Sequence, residues 1–291
     1  MGTMEHRLPE GYAIDAMTRE EASLLDDWAA SEGWNPGVND IEVAWGVDPQ
    51  AFIALRRGNE LIGGGSIISY RGAAGFMGLF IVRADHRGQG LGAVLWHERL
   101  RRLRLRLEPN APIGMDGVLD MVPFYERGGF EFLYRDLRYQ GMAASRRDAA
   151  AVPLEDVDFA RIDAYDRLHV EAPRTDFLLA WLAQGGGAGV ALIDNGKFRG
   201  YGFLRPCRQG YKVGPAFADN ATCGERLLHS LLSLVTGEQV QLDVPEPNEA
   251  AVRLVESMGW TRSFACARMV NGRKPDLPVK RIFVVTSFEF G

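Results

Sequence analysis

Leu79-Phe-Ile-Val-Arg-Ala-Asp-His-Arg-Gly-Gln-Gly-Leu-Gly92 is the stretch on which the interpretation of this chain depends. The apolar run from Leu79 to Val82 predicts a buried strand, and a polar connector, the glycines and a helix pattern follow it. Glycine has no Cβ, so the backbone can turn tightly and a ligand can approach it closely. Backbone N–H groups at a helix start bind phosphate oxygens, helped by the positive end of the helix dipole. We therefore predict a phosphate-binding glycine loop, formed by Arg87, Gly88, Gln89, Gly90, Leu91 and Gly92.

Two known signatures compete for this loop. The run from Gly88 to Ala93 satisfies the dinucleotide pattern G-x-G-x-x-A, which is weak evidence on its own. In a Rossmann domain the strand delivers the first glycine almost at once. Here the residues 83–87 intervene, so the dinucleotide pattern is disfavoured. The spacing Arg87-x-x-Gly90-x-Gly92 after a strand resembles the pyrophosphate loop of the GNAT superfamily of N-acetyltransferases instead.

A second motif follows about thirty residues further along the chain. Pro123-Phe124-Tyr125-Glu126-Arg127-Gly128-Gly129-Phe130 places Pro in the first turn of a short helix and glycines at its end. The segment is similar to the Phe-Tyr-Glu-x-x-Gly-Phe element of the same superfamily. That resemblance implies that Tyr125 lies near the sulfur of the cofactor, whereas the alternative is a Tyr that only packs the helix on the sheet.

Composition restricts the remaining possibilities. The chain has 291 residues, a net charge of −5 and 46 % hydrophobic residues, which suits two domains. No apolar run approaches the length of a membrane span, and residues 1–10 lack the features of a signal peptide. Cys207, Cys223 and Cys266 predict buried, reduced thiols rather than disulfides or a metal site. We expect a cytoplasmic protein with no nucleic-acid or membrane partner.

The first half contains recognisable elements on both sides of the glycine loop. Thr18 with Glu21 forms a capping box ahead of an amphipathic helix that ends near Gly33. Strands are predicted at 52–55, 61–68 and 76–82, with a turn at 58–59 between the first two. The helix after the glycine loop carries several arginines, which we interpret as a solvated face rather than a nucleic-acid surface. These arginines are Arg99, Arg101, Arg102, Arg104 and Arg106.

The loop after the first helix is a candidate acceptor site. Trp34-Asn35-Pro36-Gly37 makes a turn, and Asp40 follows it closely. Trp34 offers a stacking surface, and Asn35 and Asp40 offer hydrogen-bonding groups for a substrate. The alternative is a turn whose Trp packs on the core, and the sequence leaves both open.

The second half repeats the first at low similarity. A hairpin turning at 194–196, a leucine-rich helix, a strand at 240–244 and a helix ending at Gly259 match the order of the first half. The position of the glycine loop is held by 219–224, which has no alternating glycines, and Val255 stands where Tyr125 would be. The second half is therefore expected to keep the fold without the cofactor site. The run from Ile282 to Phe290 is predicted to be a final strand that completes the sheet.

Nearly the whole chain resembles bacterial two-domain GNAT proteins. The stretches that carry this narrower match are 32–37, 116–118, 242–248 and 285–289. The resemblance implies an α/β fold of tandem GNAT-like domains, each a mixed, mostly antiparallel sheet flanked by helices. We expect an acetyltransferase domain at 1–143, a linker at 144–154 and a degenerate GNAT-like domain at 155–291.

The implied reaction is acetyl transfer from acetyl-CoA to an amine, without a metal. The glycine loop would hold the pyrophosphate, the strand edge Phe80, Ile81 and Val82 would pair with pantetheine, and Tyr125 would protonate the thiolate. The general base is left open among four carboxylates, Asp116, Asp120, Glu32 and Asp40. The acceptor is open between a small-molecule and a protein amine, and the assembly between a monomer and a homodimer. A non-catalytic acyl-CoA sensor is the alternative function.

Overall fold

The computed structural model describes residues 8–144 and 147–291, and these form one large mixed sheet flanked by helices. The strands of the described chain are β1 (Tyr12–Ala16), β2 (Phe52–Arg57), β3 (Glu60–Tyr70), β4 (Ala74–Val82), β5 (Ile113–Val118), β6 (Glu131–Met142), β7 (Ala151–Pro153), β8 (Ala188–Asp194), β9 (Lys197–Pro206), β10 (Tyr211–Ala218), β11 (Gln239–Pro245), β12 (Thr261–Asn271) and β13 (Ile282–Val284). Its α-helices are α1 (Arg19–Ser31), α2 (Asp40–Val47), α3 (Leu91–Arg104), α4 (Val122–Arg127), α5 (Phe159–Asp166), α6 (Thr175–Leu182), α7 (Ala221–Leu232) and α8 (Glu249–Ser257). The predicted α/β class is confirmed.

The first half builds its sheet from neighbouring segments. Strands β1 to β4 pair antiparallel in order, and β2 and β3 are joined at Gly58-Asn59 as predicted. Helix α1 begins with the predicted capping box, because the Thr18 Oγ1 accepts the Glu21 N–H at 3.3 Å and the Glu21 carboxylate accepts the Thr18 N–H at 2.8 Å. Helix α3 buries its apolar face, including Leu95 and Leu103, against this sheet.

Strands β4 and β5 run parallel but separate after a short contact. They pair at Gly75 with Ile113 and at Phe76 with Gly114. Beyond those residues no further register pair joins the two strands among the described residues. A wedge therefore opens between the far ends of β4 and β5, and it points toward the start of α3.

The second half follows the same plan. Strands β8 and β9 form a hairpin that turns at Asn195 and Gly196, whose φ angles are 48° and 74°. Two consecutive left-handed residues suit the right-handed twist of a hairpin, and Asn-Gly adopts them readily. Strand β10 pairs antiparallel with β9 and parallel with β11, as β4 does with β3 and β5. The two halves thus share one topology.

The halves exchange a strand at the centre of the sheet. The strand order is β1-β2-β3-β4-β5-β12-β6-β11-β10-β9-β8-β7. Strand β12 of the second half lies beside β5 of the first, and β6 of the first half lies beside β11 of the second. Strands β6 and β12 also pair with each other. The two predicted domains therefore share one continuous sheet.

The predicted final strand is shorter than expected. Only β13 pairs, through Phe217 with Ile282 and Ala216 with Val284 of β10. Residues 285–291 leave the sheet. The Val285 N–H donates to the Asp243 carbonyl at 2.9 Å, and the chain then turns. The prediction of a strand through Phe290 is wrong for 285–290. Apolar residues indicate that a segment is buried, but they do not distinguish a buried strand from a buried turn.

The cores of the two halves lie on the faces of this sheet. The three cysteines are buried and make no disulfide, as predicted. In the part of the chain that the structure describes, no helix is long and apolar enough to cross a membrane.

Candidate active site

The wedge between β4 and β5 holds two adjoining spaces. The outer groove has a volume of about 430 Å³ and runs from the glycine loop, at Arg87 and Gly88, to Tyr125. The inner cavity is smaller, about 60 Å³, and continues inward from Tyr125. Trp34, Phe80, Val118 and Tyr125 line both spaces, so the two form one continuous path.

The glycine loop forms the mouth of the outer groove. Gly88 and Gly90 both have φ of 77°, a conformation that side-chain-bearing residues rarely adopt. Gly90 caps α3, and its carbonyl is the first helical acceptor, receiving the Val94 N–H at 3.4 Å. The N–H groups of Leu91 and Gly92 precede that first helical bond and have no partner within the helix. The predicted arrangement of N–H donors at a helix start is present.

Side chains of the glycine loop fold back onto the protein. The Arg87 Nε donates to the Val82 carbonyl at 2.7 Å, and its guanidinium also pairs with Glu32. The Gln89 amide donates to the Asp85 carbonyl at 3.4 Å. The loop therefore presents backbone rather than side chains to the groove. Glu32 lines the groove but is already paired with Arg87.

Strand β4 carries a bulge where the wedge opens. Gly64 pairs with Ile81 and Ser66 with Gly78, so β4 has one more residue than β3 in this interval. Leu79 within the bulge has φ of 52°. The bulge interrupts the β3–β4 ladder beside the inner cavity. The β4 edge that follows the bulge faces the groove, which is lined by Phe80, Ile81 and Val82.

Arg99 supports this bulge from below. Its guanidinium is 0 % exposed and donates to the carbonyls of Ser66 and Gly78, each at 2.6 Å. Burial lowers the pKa of Arg99 to about 9, and no carboxylate among the described residues pairs with it. The interpretation of the arginine run as a solvated face is wrong for Arg99, because its side chain reaches under the sheet. Arg101 by contrast is exposed and pairs with Glu98 at 2.7 Å.

Tyr125 lies on α4 at the junction of the groove and the cavity. The residue is 4 % exposed and packs against Trp96 and Phe124, with ring centroids at 6.2 and 5.5 Å. A Cβ at Gly117 would overlap the Tyr125 ring, so the glycine lets the ring reach its place. Burial raises the pKa of Tyr125 to about 12, against the opposing effect of Arg99. The phenol is therefore protonated at neutral pH.

Asp116 lines the inner cavity but is engaged in an ion pair. Its two oxygens accept from Nε and Nη2 of Arg268, each at 2.8 Å. The Arg268 Nε also lies 3.4 Å from the Asp136 Oδ2. Burial raises the pKa of Asp116 well above its usual range, and Arg268 opposes this rise. Because Arg268 is on β12, this cluster joins the two halves beside the cavity.

Of the three residues predicted to bind the acceptor, only Trp34 lines the cavity. The Asn35 amide donates to the Gln209 carbonyl at 3.0 Å and to the Gln241 Oε1 at 3.1 Å. The two oxygens of Asp40, which is 2 % exposed, accept from Arg205 at 2.7 and 2.9 Å. The structure thus corrects the predicted acceptor contacts of Asn35 and Asp40, because both side chains join the first half to the second.

Asp120, the remaining carboxylate considered as a base, is exposed on the 119–121 turn before α4. It lines neither the groove nor the cavity. The start of α4 has no side-chain cap.

Sequence reasoning missed the carboxylate that the structure brings into the inner cavity. Glu289 lines it together with Phe288, and Glu289 is 5 % exposed. Its Oε2 has no hydrogen-bond partner among the described residues. The run 282–290 reads as a strand, so no local signal marks this side chain as part of a site.

The counterpart of the glycine loop in the second half borders a groove of about 410 Å³, but side-chain ion pairs and a helix cap stand where the first half has its glycines. Asp219 accepts from the Tyr165 hydroxyl at 2.9 Å and pairs with Arg199 and Arg281. The Asn220 side chain caps α7 by accepting the Cys223 N–H at 3.0 Å. Across residues 8–144 and 147–291, no group of three or more metal-ligating side chains could hold a metal ion.

Comparison with known proteins gives matches over both halves. Two family models, each described as an acetyltransferase (GNAT) domain, match residues 41–144 and 162–284. A holothin acyltransferase of Pseudoalteromonas sp. (strain SANK 73390) is 25 % identical over 277 residues, covering 94 % of this chain and 92 % of that protein.

Two solved structures share the fold. A putative acetyltransferase from Pyrococcus horikoshii has a TM-score of 0.83 at 20 % identity, covering 100 % of this chain and 99 % of that one. A tandem GNAT protein from the clavulanic acid biosynthesis pathway has a TM-score of 0.62 at 13 % identity, with 91 % and 99 % covered.

Proposed function

Since the chain belongs to the GNAT acetyltransferase family and is an acyltransferase, we propose that it moves an acetyl group from acetyl-CoA to a primary amine. The observation that carries this proposal is the continuous path through the wedge. One end has N–H donors at a helix start, and the other has a protonated Tyr125 beside a bulged strand edge.

The residues of the outer groove suit an acyl-CoA. Backbone N–H groups of the glycine loop (residues 87–92) would hold the pyrophosphate, with the α3 dipole adding to the attraction. The open edge of β4 from Phe80 to Val82 would pair with pantetheine amides as an added strand does. Acetyl-CoA supplies the acetyl thioester.

Tyr125 is proposed to be the general acid. Its hydroxyl holds a proton at neutral pH, and it lies where the groove meets the cavity. Backbone N–H groups at the bulge are proposed to stabilise negative charge on the thioester oxygen, held in place by Arg99. The inner cavity has a mainly apolar lining, which strengthens both effects.

The acceptor is proposed to enter the inner cavity. That cavity is lined mainly by apolar and aromatic side chains and is small, which favours a small-molecule amine over a folded protein surface. A relative that covers nearly the same length is named a holothin acyltransferase, so holothin is the first acceptor to test.

The test is an acetyl-transfer screen of the purified chain against pooled amines, with acetylated products detected by mass. We expect acetyl-CoA-dependent formation of at least one amide and release of CoA. Gly90→Glu places a bulky acid in a left-handed position within the cradle, so it should abolish acetyl-CoA binding in calorimetry.

Gly46→Glu serves as the matched control, because Gly46 has open space around it on α2 and is remote from the groove. Acetyl-CoA binding without turnover of any amine would favour the sensor function instead. Retained affinity in Gly90→Glu, with retained affinity in the control, would contradict the assignment of the glycine loop.

A further inference from the structure

The 285–291 segment packs against the core of the first half and is held there by hydrogen bonds from several elements. The Tyr70 hydroxyl donates to the Phe290 carbonyl, and the Arg174 Nη1 donates to the Gly291 carbonyl at 2.9 Å. The Ser287 Oγ accepts the N–H groups of Glu289 and Phe290 at 3.2 and 3.0 Å, which fixes a tight turn. The position of the Glu289 backbone is therefore determined by both halves of the molecule.

Glu289 lies directly against the bulged strand. A Cβ at Gly78 would overlap the Glu289 carbonyl group, so the two backbones touch at this glycine. Gly78 precedes Leu79, whose positive φ marks the bulge. This main-chain contact places Glu289 in the lining of the cavity that Tyr125 and Phe80 also line.

The carboxylate has no hydrogen-bond or ion-pair partner of its own among the described residues, although Arg138, Arg205 and Lys212 lie near enough to interact with its charge. Its Oε2 accepts no hydrogen bond from the described residues, and only 5 % of the residue is exposed. Neighbours in the cavity include Trp34, Phe264 and Phe288. A buried carboxylate oxygen without a hydrogen bond is costly, so a cationic donor that reaches it gains a favourable contact.

The nearby arginines do not need Glu289 as a counter-ion. Arg138 makes two hydrogen bonds to Asp243, at 2.6 and 2.7 Å. Arg205 makes two to Asp40, at 2.7 and 2.9 Å. Among the described residues, no cation lies within ion-pair distance of Glu289, whereas each arginine has its own carboxylate.

The buried lysine nearby is also held by other groups. The Lys212 Nζ donates to the Asn35 carbonyl at 3.0 Å and to the Trp34 carbonyl at 3.4 Å. Burial lowers the pKa of Lys212, with Arg138 acting in the same direction. Asp116, the other carboxylate that lines the cavity, accepts hydrogen bonds from Arg268 with both oxygens. Of these two carboxylates, Glu289 is therefore the one with an oxygen that accepts no hydrogen bond among the described residues.

Resting on the proposed acetyltransferase function, we propose that Glu289 receives the ammonium group of the acceptor and is the general base that removes its proton. The acceptor is then a compact primary amine, cationic in solution, whose apolar or aromatic body fits between Trp34 and Phe288. The base for the first half is supplied by the last residues of the second.

The step balances as follows. The ammonium gives one proton to the Glu289 carboxylate, and the neutral nitrogen forms a bond to the thioester carbonyl carbon while the C–S bond breaks. Tyr125 gives its proton to the departing sulfur. The second proton leaves the nitrogen and restores Tyr125, and Glu289 passes its proton to solvent. The products are the amide, CoA as the thiol, and one proton.

The experiment compares wild type, Glu289→Gln and Glu289→Asp with two acceptors found in the screen, an alkylamine and an arylamine. The alkylamine is protonated at pH 7 and the arylamine is already neutral. For Glu289→Gln we expect kcat/KM to fall roughly 10²–10⁴-fold with the alkylamine. The arylamine should lose far less, since it has no ammonium proton to remove. Glu289→Asp should recover part of the alkylamine rate.

Glu249→Gln is the matched control, since Glu249 is an exposed glutamate on α8 that pairs with Arg253 at the surface. The acetyl-CoA dissociation constant should be the same in all variants, which verifies that they fold. Equal losses for both amines, or an unchanged kcat/KM in Glu289→Gln, would overturn the role of Glu289 while the acetyltransferase function stands. A wild type that acetylates no amine would overturn the function and this role together.

Discussion

Tyr125 is a buried residue that nevertheless borders space for a ligand. It is almost fully buried among aromatic rings, yet it lines both the outer groove and the inner cavity. Burial raises its pKa to about 12, so the hydroxyl carries a proton at neutral pH. That proton is available to the sulfur as the C–S bond breaks.

Tyr125→Phe is expected to slow turnover without weakening cofactor binding. The change keeps the ring and its packing on Trp96, and it removes only the hydroxyl. Loss of one general acid costs roughly 10²–10⁴ in rate. The measurement is kcat and the acetyl-CoA dissociation constant, with one acceptor for wild type and variant. An unchanged kcat would mean that Tyr125 is a packing residue.

His169 provides a second test at the residue scale, on stability rather than activity. The imidazole is 2 % exposed and stacks on Phe217, with ring centroids at 4.9 Å. Its Nδ1 lies 2.8 Å from the Tyr165 carbonyl. Burial lowers the pKa of His169 to about 4, so the native state keeps it neutral where the unfolded chain takes up a proton.

The sign of the pH effect follows from that difference. The folded pKa is below the unfolded value, so the contribution of His169 is complete above about pH 6.5 and is lost as the pH falls toward 4. Between pH 7 and 5 we expect wild type to lose about 2 kcal/mol of unfolding free energy relative to His169→Phe. Urea unfolding of both proteins at the two pH values measures it. Parallel pH dependences would show that the imidazole is neutral in both states or charged in both.

At the scale of elements, the bulge in β4 depends on contacts from two sides. Arg99 of α3 donates to the Ser66 and Gly78 carbonyls beside the bulge, and the 285–291 segment packs on Gly78. A helix from the first half and a segment from the second therefore fix the strand edge that faces the cofactor groove. Neither contact is local in sequence.

Gly78→Ala tests the second of these contacts. The added methyl group would overlap the Glu289 carbonyl, so the 285–291 segment has to shift. We expect a loss of roughly 1–3 kcal/mol in stability from overpacking and a large loss of acetyl transfer, with acetyl-CoA affinity retained. Calorimetry and a transfer assay measure the two effects.

Gly46→Ala is the control for that substitution, because its Cβ would meet no atom within 4 Å and it lies inside α2. An alanine in a helix interior is expected to stabilise slightly. Full acetyl transfer in Gly78→Ala would mean that the segment does not position any catalytic group.

Whole-molecule organisation sets the number of cosubstrates. The groove of the first half has an open glycine loop, whereas the corresponding place in the second half has no glycine cradle and carries the ion pairs of Asp219. The Asn220 side chain already accepts the Cys223 N–H at the start of α7, so that donor is not free for a phosphate. We expect one acetyl-CoA per chain in a saturating calorimetric titration. A stoichiometry of two would show that the Asp219 pairs open to admit a second molecule.

A feature of this molecule is predictable from the sequence when the residues that form it lie close together along the chain. The capping box at Thr18, the Asn195-Gly196 turn and the glycine loop were predictable, because each follows from residues a few positions apart. The burial of Arg99, the pairing of Asp40 with Arg205 and the place of Glu289 depend on partners far along the chain. No periodicity encodes such partners.

The strand exchange was unpredictable for the same reason. Strands β6 and β12 carry similar patterns, and either could complete either half by hydrophobicity alone. Buried ion pairs that cross between the halves, Asp116 with Arg268 and Asp243 with Arg138, favour the exchanged arrangement. Their members are ordinary charged residues until the fold brings them together.

Synthesis on the ribosome imposes an order on the exchanged strands. The chain emerges from its amino end, so β1 to β5 exist long before residues 261–271 are made. Until then the edge of β5 stands open, and we expect proteases to cut stalled nascent chains near residues 113–118 until residue 271 has emerged. Protection at shorter lengths would mean that β6 fills the gap temporarily. A recombination event that replaced one half of the gene would also take a central strand from the other, so the two halves are inherited as one unit.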